Sequence, residues 1–231
     1  MELRVYDTVE ETAEAAAHWM QECLCQAVQH RGVASLALSG GRTPWRMLES
    51  SAVAKFPWRQ MHVFQVDERA VPRDDERRNG RQIAALLVRP DRLAVDRFHP
   101  MEAEDPDLAA AAARYALELG RVLGEHGPLD LVQLGLGADA HTASLVPGDL
   151  LLETSDRTVG VCGPYQGTHR LSLTFPMLNA ARHRQWLVTG ADKTWALSAL
   201  LAGDERVPCG RVRRDGSVVF ADAAAAADLR R

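Results

Sequence analysis

The 231-residue chain has few cysteines, no long apolar run and no excess of positive charge, and each shortage removes a class of protein. Cysteine occurs only at Cys23, Cys25, Cys162 and Cys209. Cys23 and Cys25 stand two apart on a stretch that reads as helix, so they face different directions, and no CxxC or Cys/His spacing is present. Neither a zinc site nor a disulfide framework follows from that pattern. Reduced thiols are expected, with no metal and no cofactor. No apolar run approaches the ~20 residues of a membrane-spanning helix. The opening Met1-Glu2-Leu3-Arg4 lacks the basic-then-apolar pattern of an export signal. A cytoplasmic protein with no membrane partner is the expectation. Lys and Arg total 27 against 31 Asp and Glu, a formal net charge of -4. General nucleic-acid binding needs a basic footprint and is disfavoured, although a local basic pocket for a small anion is not. Linkers, internal repeats and low-complexity stretches are also missing, so residues 1–231 are read as a single domain. With 46% hydrophobic and 25% charged residues the composition is that of a globular protein. The sequence leaves monomer and homodimer both open.

What is present is an alternation of short apolar runs and helical stretches. Leu3–Tyr6 reads as a strand. The Thr8–His30 stretch reads as a long helix, with Thr8 and Glu11 spaced as a capping box and Gly32 as its stop. Val33–Leu38 is an apolar run, and a helix is expected over Pro44–Val53 with Pro44 at its first position. Strands follow at Met61–Val66, Leu129–Leu134, Thr158–Cys162, His169–Thr174 and Arg184–Thr189. A polar loop is expected between the strands at 158–162 and 169–174. Helices follow at Arg77–Val88, Pro106–Leu123 and Ala191–Leu201. Val218–Phe220 reads as a late edge strand, and the Ala-rich 221–231 as a short helix or frayed tail. The expected fold class is α/β, a doubly wound and mostly parallel sheet with helices on both faces. Ligands of such folds bind at the carboxyl ends of the strands.

The polar motifs fall at those ends. Ser39-Gly40-Gly41-Arg42-Thr43-Pro44 joins a strand to a helix. Its glycines allow close backbone approach, the helix start offers free N–H groups, and Ser39, Arg42 and Thr43 add donors. This suits a phosphate; the alternative is a tight turn with no ligand. It matches neither a Walker loop nor GxGxxG, so a kinase or dinucleotide enzyme is not supported. Asp67-Glu68-Arg69, with Asn79 beyond, follows an apolar run, where Arg69 suits an oxyanion or carboxylate; the alternative is a surface ion pair. Asp139 and His141 stand two apart after Gly135-Leu136-Gly137. A carboxylate beside an imidazole fixes its tautomer and raises its basicity, which suits a general base; the alternative is a structural histidine. Arg170 opens one strand and Lys193 opens a helix beside the same crevice. The other histidines, at 18, 30, 62, 99, 126, 169 and 183, read as lying mostly on helices or at loop edges, with no role.

The order of these motifs resembles the 6-phosphogluconolactonase family, within the larger group that includes glucosamine-6-phosphate deaminase. The stretches that carry the resemblance are SGGRTP at 39–44, VDERAVP at 66–72 with Asn79, LGLGADAHTASLVPG at 134–148, RLSLTFPMLNAARH at 170–183 and VTGADK at 188–193. The resemblance implies hydrolysis of a sugar phosphate lactone in the oxidative pentose phosphate pathway. It implies His141 as general base with Asp139 as partner, and functional roles for Asp67 and Arg69. It places the phosphate on Ser39, Gly40, Gly41, Arg42, Thr43, Arg170 and Lys193. Two departures stand out. Ala140 replaces a usual glycine, which costs roughly 1 kcal/mol or more if that position needs a positive φ. Val146 replaces a usual Phe. Deaminases of the group carry a glutamate shortly before the proline of the third segment, and here Ser144, Leu145 and Val146 precede Pro147. Deaminases also tend to have an aromatic residue where this chain has Arg69. A ligand-sensing domain without turnover is the remaining alternative.

Overall fold

The computed structural model describes residues 1–124 and 127–230; His126 lies outside them. Its centre is a seven-stranded parallel sheet built from β1 (Glu2–Tyr6), β2 (Ala34–Leu38), β3 (Met61–Gln65), β5 (Phe98–His99), β6 (Leu131–Gly135), β9 (His183–Val188) and β10 (Ser217–Asp222), in the order β1-β10-β9-β6-β2-β3-β5. β2, β6 and β9 are inner strands and almost wholly buried, the consequence of helices covering both faces. Successive side chains alternate between two cores. Leu36, Leu38 and Val63 pack with α1 (Val9–Arg31), α2 (Arg42–Leu48) and α3 (Asn79–Leu87). Ala37, Phe64, Val132 and Leu134 pack with α4 (Leu108–Leu123), α5 (Phe175–Ala180) and α6 (Thr194–Ala202). A second, three-stranded antiparallel sheet is formed by β4 (Asp67–Arg69), β8 (Thr168–Leu173) and β7 (Val159–Tyr165), in the order β4-β8-β7. The chain therefore has the expected α/β fold with a mostly parallel sheet.

Local chemistry explains where elements begin and end. The capping box at α1 is complete: Thr8 Oγ1 accepts the Glu11 N–H at 3.1 Å, and Glu11 accepts the Thr8 N–H at 3.3 Å. Gly32 ends α1 in the left-handed region at φ 76°. The expected helix over Pro44–Val53 is corrected. α2 starts two residues earlier and stops at Leu48, because Ser50 Oγ accepts the Ala52 N–H and starts a separate 3-10 turn. Pro44 is thus the third helical residue, still within the turn whose N–H groups have no intrahelical partner. α3 starts at Asn79, because the Glu68 carboxylate accepts the N–H groups of Asn79 and Gly80 at 3.0 and 2.7 Å.

The C-terminal strand also differs from expectation. Val218–Phe220 is no edge strand but the middle of β10, flanked by β9 and by β1, which returns to form the edge. The tail stays extended to Asp222, then turns and ends in a 3-10 segment. β7 and β8 join through a tight turn at Gln166 and Gly167, not a loop; both residues have positive φ, the geometry that matches strand twist in a hairpin. His62, His99, His169 and His183 lie in strands. No described helix is long and apolar enough to cross a membrane.

Candidate active site

The carboxyl ends of β2, β3 and β6 open on one cavity of about 200 Å³, lined by Ser39, Gly40, Asp67, Arg69, Asn79, Gly137, His141, Arg170 and Lys193 among others. An adjoining cavity of about 490 Å³ is lined by Gly40, Gly41, Arg42, Thr43, Thr189 and Lys193 among others. Gly40, Gly135, Leu136 and Lys193 border both. Of the residues assigned to the site from the sequence, all line one or the other cavity except Asp139, which stands behind His141.

The turn after β6 is what sets Asp139 against His141. The Ala140 N–H donates to Gly137 O at 3.0 Å and the Gly137 N–H donates to His141 O at 2.8 Å. Ala140 takes a φ of 64°, the positive value that glycine would hold without strain. Asp139 Oδ1 accepts from His141 Nδ1 at 2.5 Å and from the His141 N–H at 3.2 Å. Gly137 is required by close approach, since a Cβ there would lie 2.0 Å from His141 Nδ1 and 2.5 Å from Asp139 Oδ1. Burial alone would raise the Asp139 pKa, but the hydrogen bond and charge of His141 outweigh it and hold the carboxyl below its ordinary value. With Nδ1 donating to a carboxylate, the imidazole keeps its basic lone pair on Nε2.

Sequence reasoning missed Tyr165. Its hydroxyl donates to Asp139 Oδ2 at 3.0 Å and lies 3.4 Å from His141 Nδ1, and its ring meets His141 edge to face at 5.3 Å. Burial and the hydrogen bond to Asp139 raise its pKa, so the phenol stays a donor. Tyr165 sits at the end of β7, far from the motif in sequence, and only the β7–β8 hairpin brings it in.

β4 sorts its three residues by role. Glu68 is fully buried and structural: it caps α3 and lies 3.3 Å from Arg78 Nε. Asp67 is buried; its Oδ2 accepts from Ser144 Oγ at 2.6 Å and lies 4.0 Å from Arg170 Nη1. Arg69 and Arg170 are cross-strand neighbours in the antiparallel ladder. Arg69 Nη1 donates to Arg77 O and lies 3.4 Å from Asn79 Oδ1. The Arg170 guanidinium lies over the Tyr165 ring, 5.0 Å from its centroid, and its buried Nε has no partner. Arg69, Arg170 and His141, the last backed by Asp139, thus line one cavity.

The glycine turn is arranged somewhat differently from expectation. Ser39 Oγ donates to Gln133 O at 3.0 Å, so its proton is committed to the backbone. Thr43 Oγ1 is 2.7 Å from Thr189 Oγ1. Gly40 closely adjoins Asn79, whose side chain leaves no space for a Cβ. Lys193 Nζ is 3.0 Å from the exposed Asp192. Among the described residues no group of three or more His, Cys, Asp or Glu side chains is placed to hold a metal ion.

A family model described as glucosamine-6-phosphate isomerases/6-phosphogluconolactonase matches residues 7–220, and the chain belongs to that family. It is 36% identical over 213 residues to a 6-phosphogluconolactonase of Nostoc sp., covering 88% of each chain. It is also 36% identical over 248 residues to one of Streptomyces coelicolor, covering 100% of this chain and 95% of the other. The solved 6-phosphogluconolactonase from Trypanosoma cruzi superposes with a TM-score of 0.87 at 26% identity, covering 99% of this chain and 96% of that one.

Proposed function

We propose that this protein hydrolyses 6-phosphoglucono-δ-lactone to 6-phosphogluconate, with the cleft described above as its active site. The observation that carries the reading is His141, backed by Asp139 at 2.5 Å, in a cavity that also presents Arg69, Arg170 and Lys193. The names of the relatives support the same activity. The absence of a carboxylate at Ser144, Leu145 and Val146 supports a lactonase over a deaminase.

A lactone is an activated ester, and its hydrolysis requires neither a metal nor a covalent nucleophile. His141 Nε2 takes a proton from water as the water oxygen attacks C1. Asp139 stabilises the imidazolium that forms, and Tyr165 holds Asp139. Arg69 stabilises the oxyanion on the former carbonyl, the kind of interaction that often contributes most. The tetrahedral intermediate then collapses, the C1–ring oxygen bond breaks, and the imidazolium returns its proton to the ring oxygen. Asp67 positions Arg170 through their close charge contact. Gly40, Gly41, Arg42 and Thr43, with Lys193 and Arg170, hold the phosphate at the junction of the two cavities and so fix C1 against the water.

The test is hydrolysis of freshly generated lactone by purified protein at near-neutral pH, with chelator present and the spontaneous rate subtracted. Acceleration is expected, undiminished by chelator. A folded protein that gives no acceleration would sink the proposal and direct attention to glucosamine 6-phosphate as substrate.

A further inference from the structure

A guanidinium cannot shed its charge at any ordinary pH, so an arginine without a carboxylate partner needs another anion or water. Many arginines of this chain lie within 4.0 Å of an acidic side chain. Among the described residues, those that do not fall into three groups. Arg81, Arg184 and Arg214 donate to backbone carbonyls. Arg42 and Arg69 line the sugar-phosphate cleft. Arg59, Arg89, Arg92 and Arg97 line a single groove of about 640 Å³. Among the described residues, six of these nine guanidinium groups thus collect in two concavities, and one is already the candidate anion site.

The groove is a separate place. It lies at the amino ends of β3 and β5, since Trp58, Arg59 and Gln60 lead into Met61, and Arg97 leads into Phe98. The cleft lies at the opposite ends of the strands. The groove is shaped by Phe56, Pro57 and Pro90, and Asp91 is its only acidic wall residue. Two of its arginines are anchored. Arg92 Nη1 donates to Leu86 O at 3.1 Å. Arg97 Nη1 lies 3.2 Å from His62 Nε2, which accepts. That contact fixes a chain of tautomers: His62 Nδ1 donates to His99 Nε2 at 2.9 Å, and His99 Nδ1 donates to Glu118 at 2.8 Å. Arg97 is therefore braced from beneath by an imidazole and not by a carboxylate. Arg59 and Arg89 are exposed, and their side chains make no hydrogen bond among the described residues.

We infer that this groove is a second anion site, which binds a small molecule carrying two or more phosphate groups. Four guanidinium groups exceed what a single phosphate or carboxylate can engage, and their planar forks match phosphate oxygens in pairs. The volume is that of a small-molecule site rather than a flat macromolecular surface. Like-charged walls of a concavity reinforce one another's field, which raises the local concentration of a polyanion.

The probe is inorganic tripolyphosphate, titrated calorimetrically at low ionic strength into Lys193→Ala protein, whose cleft is weakened for phosphate. The same titration of otherwise unaltered protein saturated with 6-phosphogluconate gives a second route that needs no cleft variant. Saturable binding is expected in both. The Arg59→Ser/Arg89→Ser double substitution, confined to exposed side chains, should weaken it by about tenfold or more. The same double substitution in the otherwise unaltered chain should leave lactone turnover unchanged. Identical titrations with and without the double substitution, or no saturable binding, would overturn the inference. A short RNA oligonucleotide bound through Arg59 and Arg89, with no tripolyphosphate binding, would also overturn it, in favour of a nucleic-acid surface.

Discussion

At the scale of single residues, the turn from Gly137 to His141 carries the sharpest expectations. General-base catalysis typically supplies about 10²–10⁴-fold, so His141→Ala should lose roughly that factor in kcat while the denaturant midpoint barely moves. Near-normal turnover by the folded variant would remove His141 from the mechanism. Tyr165→Phe keeps the edge-to-face ring contact and removes only the donor to Asp139. We expect a fall of about tenfold in kcat, the loss of one charge-assisted hydrogen bond, with KM nearly unchanged. An unchanged kcat would show that Tyr165 only fills space. Ala140 sets two magnitudes against each other. Its positive φ costs roughly 1 kcal/mol, and its fully buried methyl contributes about 0.8 kcal/mol. Ala140→Gly should therefore change stability by less than ~1 kcal/mol, measured by urea unfolding, and a change beyond ~2 kcal/mol in either direction would contradict this balance.

At the scale of elements, the site was legible in the sequence wherever a motif follows a strand of the parallel sheet. The glycine turn after β2 and the Asp139–His141 turn after β6 both do, and parallel sheets place those ends together. Tyr165 was not legible, because its contact with Asp139 arises from a hairpin in the second, antiparallel sheet, and nothing in residues 159–173 announces which strand they will pair with. Glu68 misled in the opposite way: adjacent charges suggested a surface ion pair or a ligand-facing triplet, yet its carboxylate is buried as the cap of α3. From the sequence β10 reads as an edge, because its apolar run is short and late in the chain. β1 closes the sheet beyond it, a long-range pairing no local signal reports. The contact of β3 and β5 with α4 yields a further expectation. Burial first, then mutual repulsion or nearby arginines, lowers the pKa of His62, and burial lowers that of His99 against the pull of Glu118. Such groups bind protons more readily when unfolded. Their neutral pairing is fully present above the unfolded value near 6.5 and is lost as pH falls toward the folded values. Thermal stability should drop as pH falls below about 6.5, and His99→Gln should flatten that slope. A slope unchanged in the variant would place the pH sensitivity elsewhere.

At the scale of the whole molecule, the cleft joins elements from every part of the chain. Ser39 and Gly40 follow β2, Asp67 and Arg69 form β4, His141 follows β6, Arg170 lies in β8 and Lys193 precedes α6. A ligand that bridges them binds only the folded state and so stabilises it by mass action. At a concentration about 100 times its Kd the gain is about 2.7 kcal/mol. For a chain of this length each kcal/mol raises Tm by about 2–4 °C. Saturating 6-phosphogluconate should therefore raise Tm by about 5–10 °C. Gluconate, which lacks the phosphate, should give little shift at the same concentration, and Lys193→Ala should lose most of the shift while retaining the parent Tm without ligand. Equal shifts from gluconate and 6-phosphogluconate would mean that the glycine turn and Lys193 do not hold a phosphate. A shift that survives Lys193→Ala but disappears in Arg170→Ala would assign the phosphate to the β8 arginine and leave Lys193 as the partner of Asp192.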